Sequence, residues 1–150
     1  MVSNKTYECD VLVVGSGASG MATAITASMN GLNVLVVEKE SRFGGTTARS
    51  GGWLWIPGTR LAKEQGIHEP EGAARTYLQH EAATHFDPER VDAFIENGPK
   101  AIDFFTSKTA VQFDMPPAFP DYHAEAPGGQ QGGRSMVTRP LDGRELGNRI

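Results

Sequence analysis

An α/β fold is predicted by three features near the start of the chain: the apolar run Val11-Leu-Val-Val14, the glycine-spaced turn Gly15-Ser-Gly17-Ala-Ser-Gly20, and a second apolar run, Val34-Leu-Val-Val37. Continuous apolar runs of strand length, without polar alternation, mark parallel strands covered on both faces. Parallel strands need a crossover, and the stretch that opens at Ala18 and runs to Met29 supplies one. Its small residues allow a helix of about three turns to pack closely on a sheet, and Gly31 gives it a stop. Together these elements make a βαβ unit.

The turn inside that unit points to a ligand class. Gly15 permits a sharp change of direction, Gly17 removes the side chain where a backbone must approach a pyrophosphate, and Gly20 lets the helix lie against the strand. Unpaired N–H groups and the partial positive charge of the helix start face the same point. Gly15, Ser16, Gly17, Ala18, Ser19 and Gly20 are thus the predicted phosphate seat of a Rossmann-like FAD/NAD(P)-binding βαβ region. Glu38 ends the second strand, where a carboxylate accepts hydrogen bonds from both hydroxyls of an adenosine ribose and repels a 2′-phosphate; the alternative is a solvated residue at a strand end. Beyond Glu38-Lys39 comes Arg42-Phe-Gly44-Gly45-Thr46-Thr47-Ala-Arg49-Ser50-Gly51-Gly52, a second loop crowded with glycines and hydroxyls. Such a loop can line the rest of a pyrophosphate and approach a flavin edge, a need that a simple NAD domain does not have; a flexible surface loop is the other reading. FAD is therefore the predicted cofactor, with Gly45, Thr46, Thr47, Ser50, Gly51 and Gly52 in its second loop.

The next elements are less regular. Trp53-Leu-Trp55-Ile-Pro57 reads as a short strand or extended segment, its tryptophans either walling the cofactor site or serving as core aromatics. Ala73, Ala74, Tyr77, Leu78 and Ala82 give an imperfect helical period between Pro70 and His85. Asp87-Pro88-Glu89 is a helix start, with an N-cap carboxylate and a proline in the first turn, and Val91, Phe94 and Ile95 form its expected buried face. Gly98-Pro99 is expected to interrupt it, with a second helix beginning at Ala101. Asp114 to Gly133 is a long turn-rich run, of the kind that is functional or disordered in compact domains. Arg134 and Arg144 follow without an assigned role.

Gly-Ser-Gly-Ala-Ser-Gly20, then Val-Glu38-Lys39, then Gly44-Gly45-Thr46-Thr47-x-x-Ser50-Gly51-Gly52 resemble the amino-terminal FAD-binding region of the fumarate reductase and succinate dehydrogenase flavoprotein superfamily. Trp55-Ile-Pro57-Gly58 and Phe119-Pro-Asp-Tyr122 look most like its 3-ketosteroid dehydrogenase branch. The resemblance adds Lys39 to the cofactor-binding residues and implies chains several times longer, so these residues read as an amino-terminal portion. Residues 1–58 are expected to be the first part of the FAD-binding domain and 59–150 a helical and loop segment leading toward a mixed helical substrate or cap domain. The resemblance also implies that Tyr122 lies near the flavin and assists a second tyrosine that removes the substrate proton; the alternative is a loop tyrosine packed on its neighbours. A phenol with an ordinary pKa of about 10 needs such help near neutral pH. The implied chemistry is oxidation at a CH–CH group, with a steroid or other cyclic ketone as small-molecule substrate and the electron acceptor left open. Reduction of an unsaturated carboxylate, or FAD binding without catalysis, are the alternatives.

Composition narrows the classes further. A net charge of −4 with no basic stripe argues against nucleic acid, and leaves cofactor phosphates to backbone N–H groups. His68, His80, His85 and His123 lack metal-ligand spacing, so no metal is expected. Cys9, the sole cysteine, is expected to be a small buried hydrophobe. Met1 to Glu8 is short and polar, and no apolar run reaches the roughly 20 residues of a membrane span, so a cytoplasmic protein is expected.

Overall fold

Val11–Val14 (β1) and Val34–Val37 (β2) pair in parallel in the computed structural model, which describes residues 5–149. The register runs from Val11 opposite Val34 to Val14 opposite Val37, and the Gly15 N–H extends it by donating to the Val37 carbonyl at 2.7 Å. Between them runs α1, Ala18–Met29, whose last turn is closed by Asn30. The chain divides into two compact units between Gly52 and Trp53, and this βαβ element is the centre of the first.

Helix α1 covers one face of the strand pair, burying Val13, to which Gly20 lies close, and burying its own Ala24. The other face is open: Leu12 is 56% and Val14 79% exposed. The expectation of strands covered on both faces is therefore corrected. Successive side chains alternate across a strand, so a single crossover helix shields Val13 and leaves Leu12 and Val14 on the far side. Cys9, ahead of the paired run, is half-buried rather than buried.

In the second unit a short antiparallel sheet is built from Trp53–Trp55 (β3), Phe113–Asp114 (β4) and Ser135–Thr138 (β5), with β5 in the centre. Trp55 pairs with Ser135, and Phe113 with Thr138. Helices α2 (Arg60–Glu64), α3 (Ala73–Ala82) and α4 (Pro88–Lys108) accompany it. Its core joins Ala62, Ile102, Phe113, Met115 and Met136, with Leu54, Ile56 and Phe105 packed around them. No helix among the described residues is long and apolar enough to cross a membrane.

Two helical expectations change. The segment expected over 70–85 is helical only over α3, because the backbone breaks at Ala83 (φ +45°) and continues as a single 3-10 turn. Helix α4 begins as expected, with the Asp87 carboxylate accepting from the Arg90 N–H at 3.1 Å. It then runs unbroken for 21 residues through Pro99 rather than splitting there. Proline removes one intrahelical bond and crowds the carbonyl four residues back. Packing of Ile102 in the core, with the half-buried Phe105 against it, offsets that local cost, and Gly98 lies so close to Ile56 that a Cβ there would meet its Cγ2 at 3.0 Å. Phe94, expected on the buried face, is 38% exposed and stacks at 6.2 Å on Trp55.

Candidate functional site

The first unit folds its two glycine loops onto one another. Glu38 Oε2 accepts from the Ser16 N–H at 2.9 Å and from Ser16 Oγ at 2.5 Å, while Oε1 accepts from the Glu40 N–H at 3.1 Å. Ser16 Oγ in turn accepts from the Gly44 N–H at 2.8 Å. Thr47 Oγ1 accepts from the Ala18 N–H at 3.0 Å, at the first residue of α1. Gly15, Ser16, Gly17, Ala18, Glu38, Gly45 and Thr47 are thereby gathered at the carboxyl end of β1 and β2. Gly45 lies close enough to Gly17 that a Cβ on it would stand 3.4 Å from the Gly17 Cα.

The glycine requirement at two positions is plain. Gly15 takes φ +97°, a region closed to most side chains, and a Cβ on Gly20 would lie 2.0 Å from the Gly15 carbonyl oxygen. The turn and the helix thus touch with no room for another atom, which brings the first-turn N–H groups of α1 beside the loop. Ser19 and Gly20 lie in that turn. Thr46 leads the 3-10 turn Thr47–Arg49, and Ser50 closes it by donating to the Thr47 carbonyl and accepting from the Gly52 N–H at 3.2 Å. Gly51 lies between these two residues, in the same loop. Lys39 stands apart, its side chain 87% exposed and directed to a surface pairing with Glu40.

Electrostatics agree with a seat for an adenosine diphosphate group. The Ser16 hydroxyl, then the Glu40 and Ser16 amides, hold the Glu38 carboxyl at about 2 against an ordinary 4.5, so it stays anionic. Amide donors at a helix start suit a pyrophosphate, an anionic acceptor suits a ribose diol, and the bare glycines leave space for both. The residues present fit FAD.

The second unit displays Tyr122, whose side chain is 99% exposed and makes no hydrogen bond among the described residues. Phe119, three residues earlier, stacks on Trp53 at 4.1 Å. Trp55 is turned the other way, donating its indole N–H to Asp121 Oδ1 at 2.7 Å. Sequence reasoning missed the group around it. Arg134 is fully buried, with Glu69 and Asp121 as its carboxylate partners. The signal available was the pair Gly132-Gly133 ahead of a charged residue, since close backbone approach before a buried strand leaves no room for side chains. His80 and His123 both meet Glu81, at 3.1 and 2.8 Å, and lower its carboxyl from the ordinary value.

A parallel βαβ unit with a glycine turn, an acidic strand end and a second glycine loop folded over the first defines a dinucleotide-binding protein of the flavin type. A family model described as FAD binding domain matches residues 10–149, and the chain belongs to that family. FAD is its cofactor. It is 45% identical over 140 residues to a 3-oxosteroid 1-dehydrogenase of Mycobacterium tuberculosis, covering 93% of this chain and 25% of the relative. It is 46% identical over 146 residues to a 4-oxocyclohex-2-ene-1-carboxylate 5-dehydrogenase of Sinomonas cyclohexanicum, covering 97% and 24%. Among solved structures, a 3-ketosteroid delta1-dehydrogenase from Sterolibacterium denitrificans, in complex with 1,4-androstadiene-3,17-dione, superposes with a TM-score of 0.86 at 36% identity, covering 95% of this chain and 25% of the other. The chain thus spans about a quarter of the length of the relatives it matches.

Proposed function

We propose that these residues form the cofactor-seating part of an FAD-dependent dehydrogenase that introduces a carbon-carbon double bond beside the carbonyl of a cyclic ketone. The observation that carries this reading is that two relatives, at 45% and 46% identity, are named for different substrates yet share an oxo group and a dehydrogenation. The ring ketone, with 3-ketosteroids as the favoured members, is accordingly the substrate class. A cytoplasmic location belongs to the same proposal and is checked by cell fractionation.

In this reading the turn Gly15–Gly20 seats the cofactor phosphates, with the amides of Gly17, Ser19 and Gly20 as donors beside those of Ser16 and Ala18 that bond Glu38 and Thr47. Glu38 accepts from the adenosine ribose, and Gly45, Thr46, Thr47 and Ser50–Gly52 line the approach to the ring. Lys39 is placed with them on the resemblance alone, since its side chain is exposed and pairs with Glu40. When bound, FAD supplies a two-electron acceptor for a hydride. Loss of a proton alpha to the carbonyl and of a hydride from the neighbouring carbon leaves the new double bond. Tyr122 assists the proton step from its exposed position.

An absorbance spectrum of the purified chain after incubation with FAD is the first test. One flavin retained per chain is the expected result, with bleaching without oxygen on addition of a 3-ketosteroid or a 4-oxocyclohexanecarboxylate expected of the full-length protein. In the full-length protein, retained flavin that neither ketone bleaches overturns the dehydrogenase reading. Tyr122→Phe should slow the bleaching about tenfold or more without loss of flavin.

A further inference from the structure

We infer that Asp121 and Arg134 are positioning residues for Tyr122, their buried ion pair fixing the backbone beside a phenol that makes no hydrogen bond among the described residues. The inference rests on the role proposed above for Tyr122. Arg134 and Asp121 have side chains only 1% and 2% exposed, with Nη1 donating to Oδ2 at 2.6 Å. The guanidinium also donates through Nε to both Glu69 oxygens at 3.2 Å and through Nη2 to the Gly128 carbonyl at 2.8 Å, and it lies 5.3 Å from the Trp55 ring and 5.5 Å from that of Tyr77. Asp121 is saturated in turn. Besides Trp55 and Arg134 it accepts from the Gln130 N–H at 3.0 Å, and its own N–H donates to the Gln130 carbonyl at 2.9 Å. On the far side of Tyr122, the His123 N–H donates to the Tyr77 hydroxyl at 3.4 Å.

Both neighbours of Tyr122 are therefore tied down, to β3, to the residue preceding β5 and to α3, while Tyr122 itself is wholly exposed. A tyrosine kept for packing contributes through buried ring area, and Tyr122 buries almost none. Enclosing a guanidinium and two carboxylates costs desolvation that apolar residues of the same volume avoid, so such a cluster is better explained by the geometry it imposes than by stability. Here the geometry is that of the residue next to the phenol. The planar fork of Arg134 reaches Asp121, Glu69 and Gly128 at once, a duty that a lysine cannot take over.

Backbone relaxation of the 15N-labelled chain tests this without cofactor or substrate. The Tyr122 amide is expected to show a rigid-backbone order parameter, about 0.85, falling below about 0.6 in Asp121→Asn and in Arg134→Lys while amides of α4 keep theirs. Asp121→Asn retains an oxygen for the Trp55 indole and carries the test if Arg134→Lys does not fold. A Tyr122 amide as ordered in folded Asp121→Asn as in the unaltered chain, or disordered in both, overturns the inference. In the FAD-loaded protein, Asp121→Asn is further expected to lower the rate of ketone-driven flavin reduction about tenfold with KM unchanged. A raised KM at an unchanged rate overturns the positioning role. Failure of the underlying reading is separate, and shows as unaltered flavin reduction in Tyr122→Phe.

Discussion

Glu38 carries a charge whose surroundings make it more acidic than a free glutamate, because the Ser16 hydroxyl and two amides bond its ionised form. Its folded value of about 2 lies below the ordinary 4.5, so its ionised form favours the fold above pH 4.5, and that contribution is lost as pH falls from 4.5 to about 2. A carboxyl 13C titration should find the Glu38 midpoint near 2, and Ser16→Ala should move it up toward 4.5. At Gly20, alanine would place a carbon 2.0 Å from the Gly15 oxygen. Gly20→Ala is expected to cost about 2 kcal/mol, read as a lower urea midpoint, and to weaken flavin retention. Glu38 was legible in the sequence because a carboxylate at that strand end has a defined place relative to the glycine turn. Ser16 was placed in the phosphate seat from the sequence, but its hydroxyl bond to Glu38 was not legible, since it exists only when β2 brings Glu38 alongside β1. The same holds for Arg134, whose partners Glu69 and Asp121 approach it from separate stretches of chain.

At the level of elements, β1, α1 and β2 were legible because each is dominated by local pattern. The start of α4 was equally plain, and its course through Pro99 was not. Local rules weigh the missing N–H, whereas the burial of Ile102 beyond it depends on the sheet and α2. Pro99→Ala should restore a backbone donor without changing the length of α4. It is expected to stabilise the chain by about 2 kcal/mol, seen as a higher urea midpoint at unchanged helical circular dichroism. Strands β4 and β5 escaped notice for a different reason. Two residues are too few to display a period, and Ser135-Met-Val-Thr138 lacks the continuous apolar run of β1 and β2, so both are defined by the partner across the sheet.

For the molecule as a whole, composition and charge were informative about class and silent about which surfaces are covered. The open face of the β1–β2 pair is the clearest case, since Val13 and Val14 are identical in type and differ from 6% to 79% in exposure. Val14→Thr should change stability by less than about 0.5 kcal/mol, and Val13→Thr should lower it by about 2 kcal/mol, both from urea curves. The division at Gly52 also separates the two kinds of site, with the cofactor cradle before it and the Tyr122 loop after it. Both tryptophans of the chain, Trp53 and Trp55, fall in the second unit. Emission on heating or in urea therefore follows the unit with the buried Arg134 and is blind to the one that seats Glu38. Circular dichroism sees both, so coincidence of the two melting curves would mean that the units unfold together, and a gap between them that each unit melts alone.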